Sequence, residues 1–518
     1  MKSYTIVLLI ILVTLPLNAQ RVYDVVVFGA TPGGIAAAIS ARQENLSVAL
    51  LEPTGHVGGL STSGLNRDER EHMNGLTFDG ISEKFILEAC KRSGYDFTRK
   101  DNAARMWQSH VAEEVFMEML KEANVELFFH QKLENVSKVA ARIKTISMRG
   151  GQPFTAKIFI DATYEGDLMA KANVSYTHGR EGFETYKESL AGVRYLDKPL
   201  KISPYDSEGN LLPGVLPGKP PKEHSSSPMP IPYNIRMNLS YDPNNSVEIT
   251  KPENYNRNDY VLLERALKSG YLKNLSKIIG VYPMPGHKRE CNNKQYSVVS
   301  LSIPGGQTAW CESSYEERDM IYKKYKDYTH GLFWFLKTDP AVPPKIQKEM
   351  NSYGFCKDEW ADNDHWPYYI YVRAGRRMIG EKVMTQHDIT DDTDKKDVIH
   401  VGSHYIDSHH VARYAYDKDH IINEGRIWEK GVCFDIPYQI ITPKRQECEN
   451  LLVPVAASAS NVAFCAIRLE PTWMHLGEVS GIAASMAINN NQMVQKLDIS
   501  QLQAKIKSRG IPLIQPGE

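Results

Sequence analysis

Residues Tyr23–Asn45 read YDVVVFGATPGGIAAAISARQEN, an apolar strand running straight into a glycine-rich turn and then an alanine-rich helix. That is the local form of a dinucleotide-binding βαβ unit. Asp24 to Phe28 are nearly all β-formers, and Gly29, Thr31 and Gly34 fill the slots of a G-x-G-x-x-G turn, with Thr31 in place of the second glycine and a further glycine at Gly33. Such a turn brings main-chain N–H groups and a helix N-terminus against a pyrophosphate, while a small third residue lets helix and strand pack closely. The second strand, Ser47 to Leu51, ends in Glu52, where a carboxylate accepts hydrogen bonds from the hydroxyls of an adenosine ribose. An acid there favours FAD or NAD over NADP, whose 2′-phosphate it would repel. Strand, turn, helix, second strand and acid together are far more specific than the turn alone.

The chain begins MKSYTIVLLIILVTLPLNAQ, with Lys2 as a positive start, Ile6 to Leu17 as an apolar core and Asn18-Ala19 as a small-residue cleavage site. Residues 1–19 are therefore expected to be a signal peptide, and the mature protein secreted or periplasmic. The apolar run is too short to span a membrane and is broken by Pro16, so no span is expected in the mature chain. The 61 basic residues balance 62 acidic ones, which leaves no broad field for nucleic acid or an anionic membrane. Seven cysteines show no C-x-x-C or other metal-ligand spacing. Cys90 and Cys465 read as packed thiols, whereas Cys291, Cys311 and Cys356 are candidates for a disulfide.

In a chain of 518 residues, about two domains are expected. After Glu52 comes a small-residue loop, His56 to Gly64, whose paired glycines admit a planar ligand. Helical patterns at Ile81–Ser93 and Ala104–Ala123 follow, then strands at Val125–Phe129, across Val136–Met148 and at Ala156–Ile160. The last of these runs into Asp161-Ala162-Thr163-Tyr164-Glu165-Gly166-Asp167. From Ser189 to Lys430 the texture is aromatic, Pro-rich and aperiodic, which suits an inserted α+β substrate or cap domain. The α/β texture then returns, with a strand at Asn450–Ala457, a helix at Pro471–Asn489 and a terminal helix at Asp498–Arg509. The expected architecture is α/β: a discontinuous Rossmann-like cofactor domain from 20–188 and 431–518 around a cap at 189–430.

Several separate blocks carry a family resemblance: FGATPGGIAAAI, GHVGGLSTSGL, IDATYEGDLMAKA, HYIDSHHVAR at His404 to Arg413, and the run from Ile436 to Ser485. In these the chain resembles the secreted bacterial FAD dependent oxidoreductases, many of which are labelled xanthan lyase-like. The resemblance implies a glutathione-reductase-type flavoprotein with FAD as cofactor. It implies that Gly29, Thr31, Pro32, Gly33 and Gly34 line the pyrophosphate and that Glu52 holds the ribose. Gly58, Gly59, Ser61 and Thr62 would pass beside the ribityl chain and flavin, the backbone near Val136 would meet the adenine, and Asp161, Ala162 and Gly166 would close on the pyrophosphate. The helix beginning at Pro471-Thr472 would aim its N-terminus at the flavin. Asn461 stands where similar proteins carry His. His56 raises covalent flavin attachment by its position alone, and a noncovalent site is expected.

A flavin that oxidises an alcohol or amine needs a nearby group to take a proton. The richest cluster for that role is Ser403 to His410. On an extended segment Asp407 and His409 share a face, carboxylate orienting imidazole, with His410 as the alternative base. A His-rich surface turn is the plain alternative; three histidines in seven residues also suit Zn²⁺, but no outside ligand is identifiable and no metal is expected. Arg373 and Arg376 could clamp a carboxylated or polyhydroxylated substrate, and Asn234 and Arg236 are further candidate substrate contacts. The function expected is hydride transfer from a carbohydrate or related molecule to FAD, with an electron acceptor of unassigned identity. A flavin-containing polysaccharide lyase and a glycan-binding flavoprotein are the alternatives.

Overall fold

Strand β1 (Val22–Phe28) is followed by helix α1 (Pro32–Gln43) and strand β2 (Val48–Leu51), in a computed structural model that describes residues 21–73, 79–98, 104–391, 396–511 and 513. The expected signal segment, Met1–Ala19, lies outside the described residues. Helices α2 (Gly80–Arg92) and α3 (Ser109–Glu122) lead to β3 (Glu126–Phe128), β4 (Leu133–Val139), β5 (Arg142–Met148) and β6 (Pro153–Asp161). The strand order is β3-β2-β1-β6-β5-β4. β3, β2, β1 and β6 run parallel, and Val25 to Phe28 are wholly buried, as strands covered on both faces must be. This is a mixed α/β molecule with a Rossmann-like parallel sheet.

Two edges of the expectation shift. The Val136–Met148 run is not one strand but part of a β4-β5 hairpin turning at Ala140, which adopts φ 51°. Only Leu451–Leu452 of the Asn450–Ala457 run pairs, parallel to the second half of β6, whose first half pairs antiparallel with β5. A segment from late in the chain thus joins the sheet opened by β1.

A long buried helix, Glu470–Asn489, lies against α1. A Cβ at Gly477 would stand 2.0 Å from the Gly33 carbonyl, so glycine there permits the close approach. Ser40 Oγ donates to the Glu478 carbonyl at 2.6 Å. The remaining chain builds a five-stranded antiparallel sheet, ordered Ile279–Met284, Lys288–Asn293, Met237–Ser240, Gly354–Cys356, Ser246–Val247. It also builds short ribbons, including Ile406–Ser408 paired with Ile427–Glu429. Cys291, Cys311 and Cys356 are buried thiols, so the expected disulfide among them is not formed. Among the described residues no helix is long and apolar enough to cross a membrane.

Candidate functional site

The first turn after β1 is shaped by what glycine alone allows. Gly29 has φ 98°, and a Cβ on Gly34 would stand 1.9 Å from the Gly29 carbonyl oxygen. Thr31 has φ −65° and ψ 165°, ordinary extended backbone, which is why a side chain is tolerated at that slot. Its Oγ1 accepts from Gly34 N at 3.2 Å, capping α1, and donates to the Ala162 carbonyl at 2.8 Å. Pro32 and Gly33 form the first turn of the helix. The Glu52 carboxylate is buried. It accepts from Ala30 N (2.8 Å), Thr54 N (2.9 Å) and Thr54 Oγ1 (2.8 Å), and from the Tyr369 hydroxyl in a short contact. Oε2 takes only the Ala30 bond, leaving it acceptor capacity for a ribose hydroxyl.

From this turn a polar seam runs on. Gly58 and Gly59 both have positive φ, at 86° and 47°. Thr62 Oγ1 donates to the Val57 carbonyl at 2.7 Å. The Tyr164 hydroxyl accepts from Leu60 N at 2.9 Å and donates to Glu470 Oε1 at 2.5 Å. Burial pushes the Glu470 carboxyl up to about 8, against the Tyr164 hydrogen bond. Pro471 and Thr472 lie buried in the first turn of the same helix. Ser61 Oγ, Glu470 Oε2 and the indole N–H of Trp473 are buried without a hydrogen-bond partner. Buried polar groups are ordinarily satisfied, so these three are fitted to a polar ligand such as FAD. Tyr164, Tyr369, Glu470 and Trp473 were not among the residues expected from sequence, and only the proximity of Glu470 to Pro471 hinted at one of them.

Beyond the carboxyl ends of β2, β3 and β6, where ligands bind in open parallel sheets, lies a cavity of about 580 Å³. Thr54, His56, His130, Lys132, Thr163 and Tyr369 are among its lining. Three expectations are corrected here. Val136 is paired with Ile146 inside the β4-β5 hairpin, and His130 and Lys132 take the cavity wall instead. Asp161 turns inward, accepting from Thr163 N (3.0 Å), Thr163 Oγ1 (2.7 Å) and Met169 N (2.8 Å), so it holds its own loop while burial raises it to about 6. Arg376 is tied to Asp167 (2.9 Å) and Glu312 (3.0 Å), far from the histidine cluster in its bonding. Ala162 abuts the glycine turn, and Gly166 caps the next short helix at φ 67°. His56 is stacked on Tyr368 and held between Glu113 (3.1 Å) and Asp362 (3.2 Å).

A second cavity, of about 560 Å³, is lined by Arg236, Arg373, Asp407 and His409 together with Tyr371 and Arg468. Four expected residues thus meet there, although Arg236 and Asp407 are more than 150 positions apart in the sequence. His410 does not join them; its Nε2 faces Asp197 Oδ2 at 2.7 Å. Asn234 is buried outside the lining, and its carbonyl accepts from Tyr371 N at 2.9 Å.

The polar geometry revises the expected roles. Asn293 Oδ1 accepts from Ser302 N at 3.0 Å, so its amide nitrogen donates to His409 Nδ1 at 3.0 Å. That leaves the imidazole proton on Nε2, 3.9 Å from Asp407 Oδ2. The Nε2–H is thus turned toward Asp407, as in a carboxylate-oriented imidazole, but the Asn293 amide occupies Nδ1, so His409 has no free nitrogen to act as a base. Burial drives His409 well below its ordinary range, and the Arg373, Arg468 and Arg236 guanidiniums push the same way. Asp407 is anchored by Arg468 (3.0 Å) and Gln295 (2.8 Å). Arg236 pairs with the buried Glu290. Arg373 donates only to the Pro232 carbonyl (2.6 Å) and Asn292 Oδ1 (3.2 Å), and among the described residues no carboxylate forms an ion pair with it. Burial, with Arg468 and Arg236 nearby, lowers it to about 10.

A family model described as "FAD dependent oxidoreductase" matches residues 24–506. No curated protein sequence matches the chain. Among solved structures, it is similar to OxyS anhydrotetracycline hydroxylase from Streptomyces rimosus at 13% identity and TM-score 0.24, over 31% of this chain and 36% of that one. It is similar to a geranylgeranyl bacteriochlorophyll reductase-like protein from Thermoplasma acidophilum at 12% identity and TM-score 0.38, over 95% and 84%. It is also similar to 3-ketosteroid-Δ4-(5α)-dehydrogenase from Rhodococcus jostii RHA1 at 16% identity and TM-score 0.22, over 31% and 50%.

Proposed function

This chain belongs to the FAD dependent oxidoreductase family and is an FAD-dependent oxidoreductase, and from that premise we propose that it is exported and oxidises a carbohydrate or related polyhydroxylated molecule bound in the cavity of Asp407 and His409. The observation that carries this reading is the cavity itself: an acceptor carboxylate, an imidazole donor and an unpaired buried guanidinium face one space of about 560 Å³. FAD, when bound, accepts a hydride from carbon. Asp407 takes the proton of the hydroxyl being oxidised, His409 Nε2–H holds a neighbouring oxygen, and Arg373 binds an acidic or polyhydroxylated part of the substrate.

In the same reading, residues 20–188 and 431–518 form one glutathione-reductase-type cofactor domain, and 189–430 form the cap that supplies Arg236, Arg373 and Asp407. Leu451–Leu452 beside β6 and the helix Glu470–Asn489 against α1 support that division. Export is supported by the composition of Met1–Ala19.

Arg373 also favours a second reading, the xanthan lyase-like one. A guanidinium without a carboxylate partner suits the carboxylate of a uronic acid, next to which a base starts elimination. Anaerobic addition of neutral and acidic sugars to FAD-loaded protein tests both. Bleaching of the flavin supports oxidation, whereas an unsaturated sugar formed without acceptor consumption supports elimination. If no sugar or sugar acid does either, both readings fall.

A further inference from the structure

Beside the second cavity, Glu69, His72 and His404 bring one carboxylate oxygen and two ring nitrogens together, all within 4.8 Å of one another. We propose that these three residues bind a divalent transition-metal ion. The sequence offered histidines at 404, 409 and 410 but no ligand from elsewhere; the fold supplies two. Glu69 caps and His72 closes a single 3₁₀ turn, Arg70–His72, in which side chains three apart eclipse. An antiparallel bridge between Met73 and His404 sets the second segment beside it.

His404 is prepared as a ligand. It is 2% exposed, and its Nδ1 lies 2.7 Å from the Tyr405 carbonyl, an oxygen that can only accept. The proton is therefore on Nδ1, the second-sphere arrangement found behind metal-bound imidazoles. Its Nε2 is buried without a hydrogen-bond partner and lies 3.5 Å from Glu69 Oε2. Donor atoms around a tetrahedral Zn²⁺ stand about 3.4 Å apart, from bond lengths near 2.0–2.1 Å. Arg236 approaches the other carboxylate oxygen, Oε1, at 4.0 Å, which leaves Oε2 for the ion.

A similar grouping, His110, Asp358 and Glu359, differs in one respect. Lys288 Nζ already lies 2.8 Å from Asp358 and 2.7 Å from Glu359, so an ammonium fills that place. Among the described residues no ammonium pairs with Glu69 in this way; the cations acting on it are the guanidiniums of Arg67 and of Arg236, the latter 4.0 Å from Oε1. Two imidazoles and one carboxylate suit Zn²⁺ or Fe²⁺ and leave coordination positions open. Glu69 and His72 also line the 560 Å³ cavity, so the open positions face it. The ion would hold a substrate hydroxyl or carboxylate oxygen there, a role that rests on the substrate reading above.

The test is calorimetric titration of chelator-treated full-length protein with Zn²⁺, without flavin or sugar, so its outcome is separate from that of the substrate reading. Zn²⁺ stands high in the affinity order of divalent ions and is a fair probe whichever ion is native. One equivalent is expected to bind. Affinity should fall on the order of 100-fold in His404→Ala and in His72→Ala, and stay unchanged in His110→Ala. His72 is half-buried, so His72→Ala decides the matter if His404→Ala fails to fold, with flavin uptake checking that each variant is native. Absence of a Zn²⁺ heat in the parent protein, or a heat undiminished in His72→Ala, overturns the proposal.

Discussion

Around the turn from Gly29 to Gly34 the groups offered to a ligand are main-chain amides, and side chains matter mainly by being absent. Around the Asp407–His409 cavity the offered groups are side chains, drawn from Arg236, Arg373, Asp407, His409 and Arg468. The first region obtains polarity from the backbone at no desolvation cost beyond that of the fold. The second takes three guanidiniums out of water and compensates two, Arg236 through Glu290 and Arg468 through Asp407. A region made of main chain should fail as a unit when it is crowded. A region made of side chains should lose one function at a time.

The largest effect expected is at the turn. Gly34→Val drives a side chain into the Gly29 carbonyl, where a Cβ would already be 1.9 Å away, and the purified protein should be colourless, with no FAD taken up. Thr31→Gly, at a position of ordinary φ, should retain the cofactor and lose a few tenths of a kcal/mol of helix capping. Equal loss in both variants would break the contrast. Next, Asp407→Asn should lower kcat/KM by about 10²–10⁴-fold, the usual range for a proton acceptor, with flavin content per protein unchanged. A parallel fall in flavin content would join the two regions.

Arg373→Met should raise KM for an acidic sugar about 10–100-fold, the worth of hydrogen bonds to a charged group. Stability should hold or rise, because an unpaired buried cation is removed; a lowered melting temperature would show Arg373 to be structural. The smallest effects are in pH dependence of the flavin-free protein, read as melting temperature. Burial lowers His475 to about 4. Between its unfolded value near 6.5 and about 4 the unfolded chain binds the extra proton, so this contribution is present above 6.5 and is lost as pH falls through that window. Glu470, raised to about 8, has the opposite sign: its contribution is whole below about 4.3 and is lost as pH rises towards 8. His475→Gln should flatten the acid limb by a few degrees, and Glu470→Gln the alkaline one. An unchanged profile in either variant would remove that residue from the account.

Flanking helices were legible to within a few residues, α2 from its period and the helix Glu470–Asn489, buried on every face, from its Gly and Ala content. Ala104–Ala123 was overextended, since helix α3 starts only at Ser109; the preceding residues are extended, with Met106 bridged to Arg67. Val136 was a misplacement because alternation locates a strand without saying which ligand its edge meets. Asp161 and Arg376 were misjudged because polar residues near a glycine turn satisfy one another as readily as they satisfy a ligand.

From about thirty neighbouring positions the chain determined the strand–turn–helix unit and a dinucleotide site open to FAD or NAD, because glycine spacing, strand pattern and a terminal acid are local properties; FAD and the oxidoreductase class came from the resemblance carried by several separate blocks. Only the tertiary structure decided that the Asn293 amide occupies His409 Nδ1, that Arg373 has no carboxylate partner among the described residues, and that Glu69 and His72 meet His404. Those facts depend on which distant segments share a buried space, and hydrogen-bond direction and charge compensation are properties of that shared space rather than of any stretch of chain.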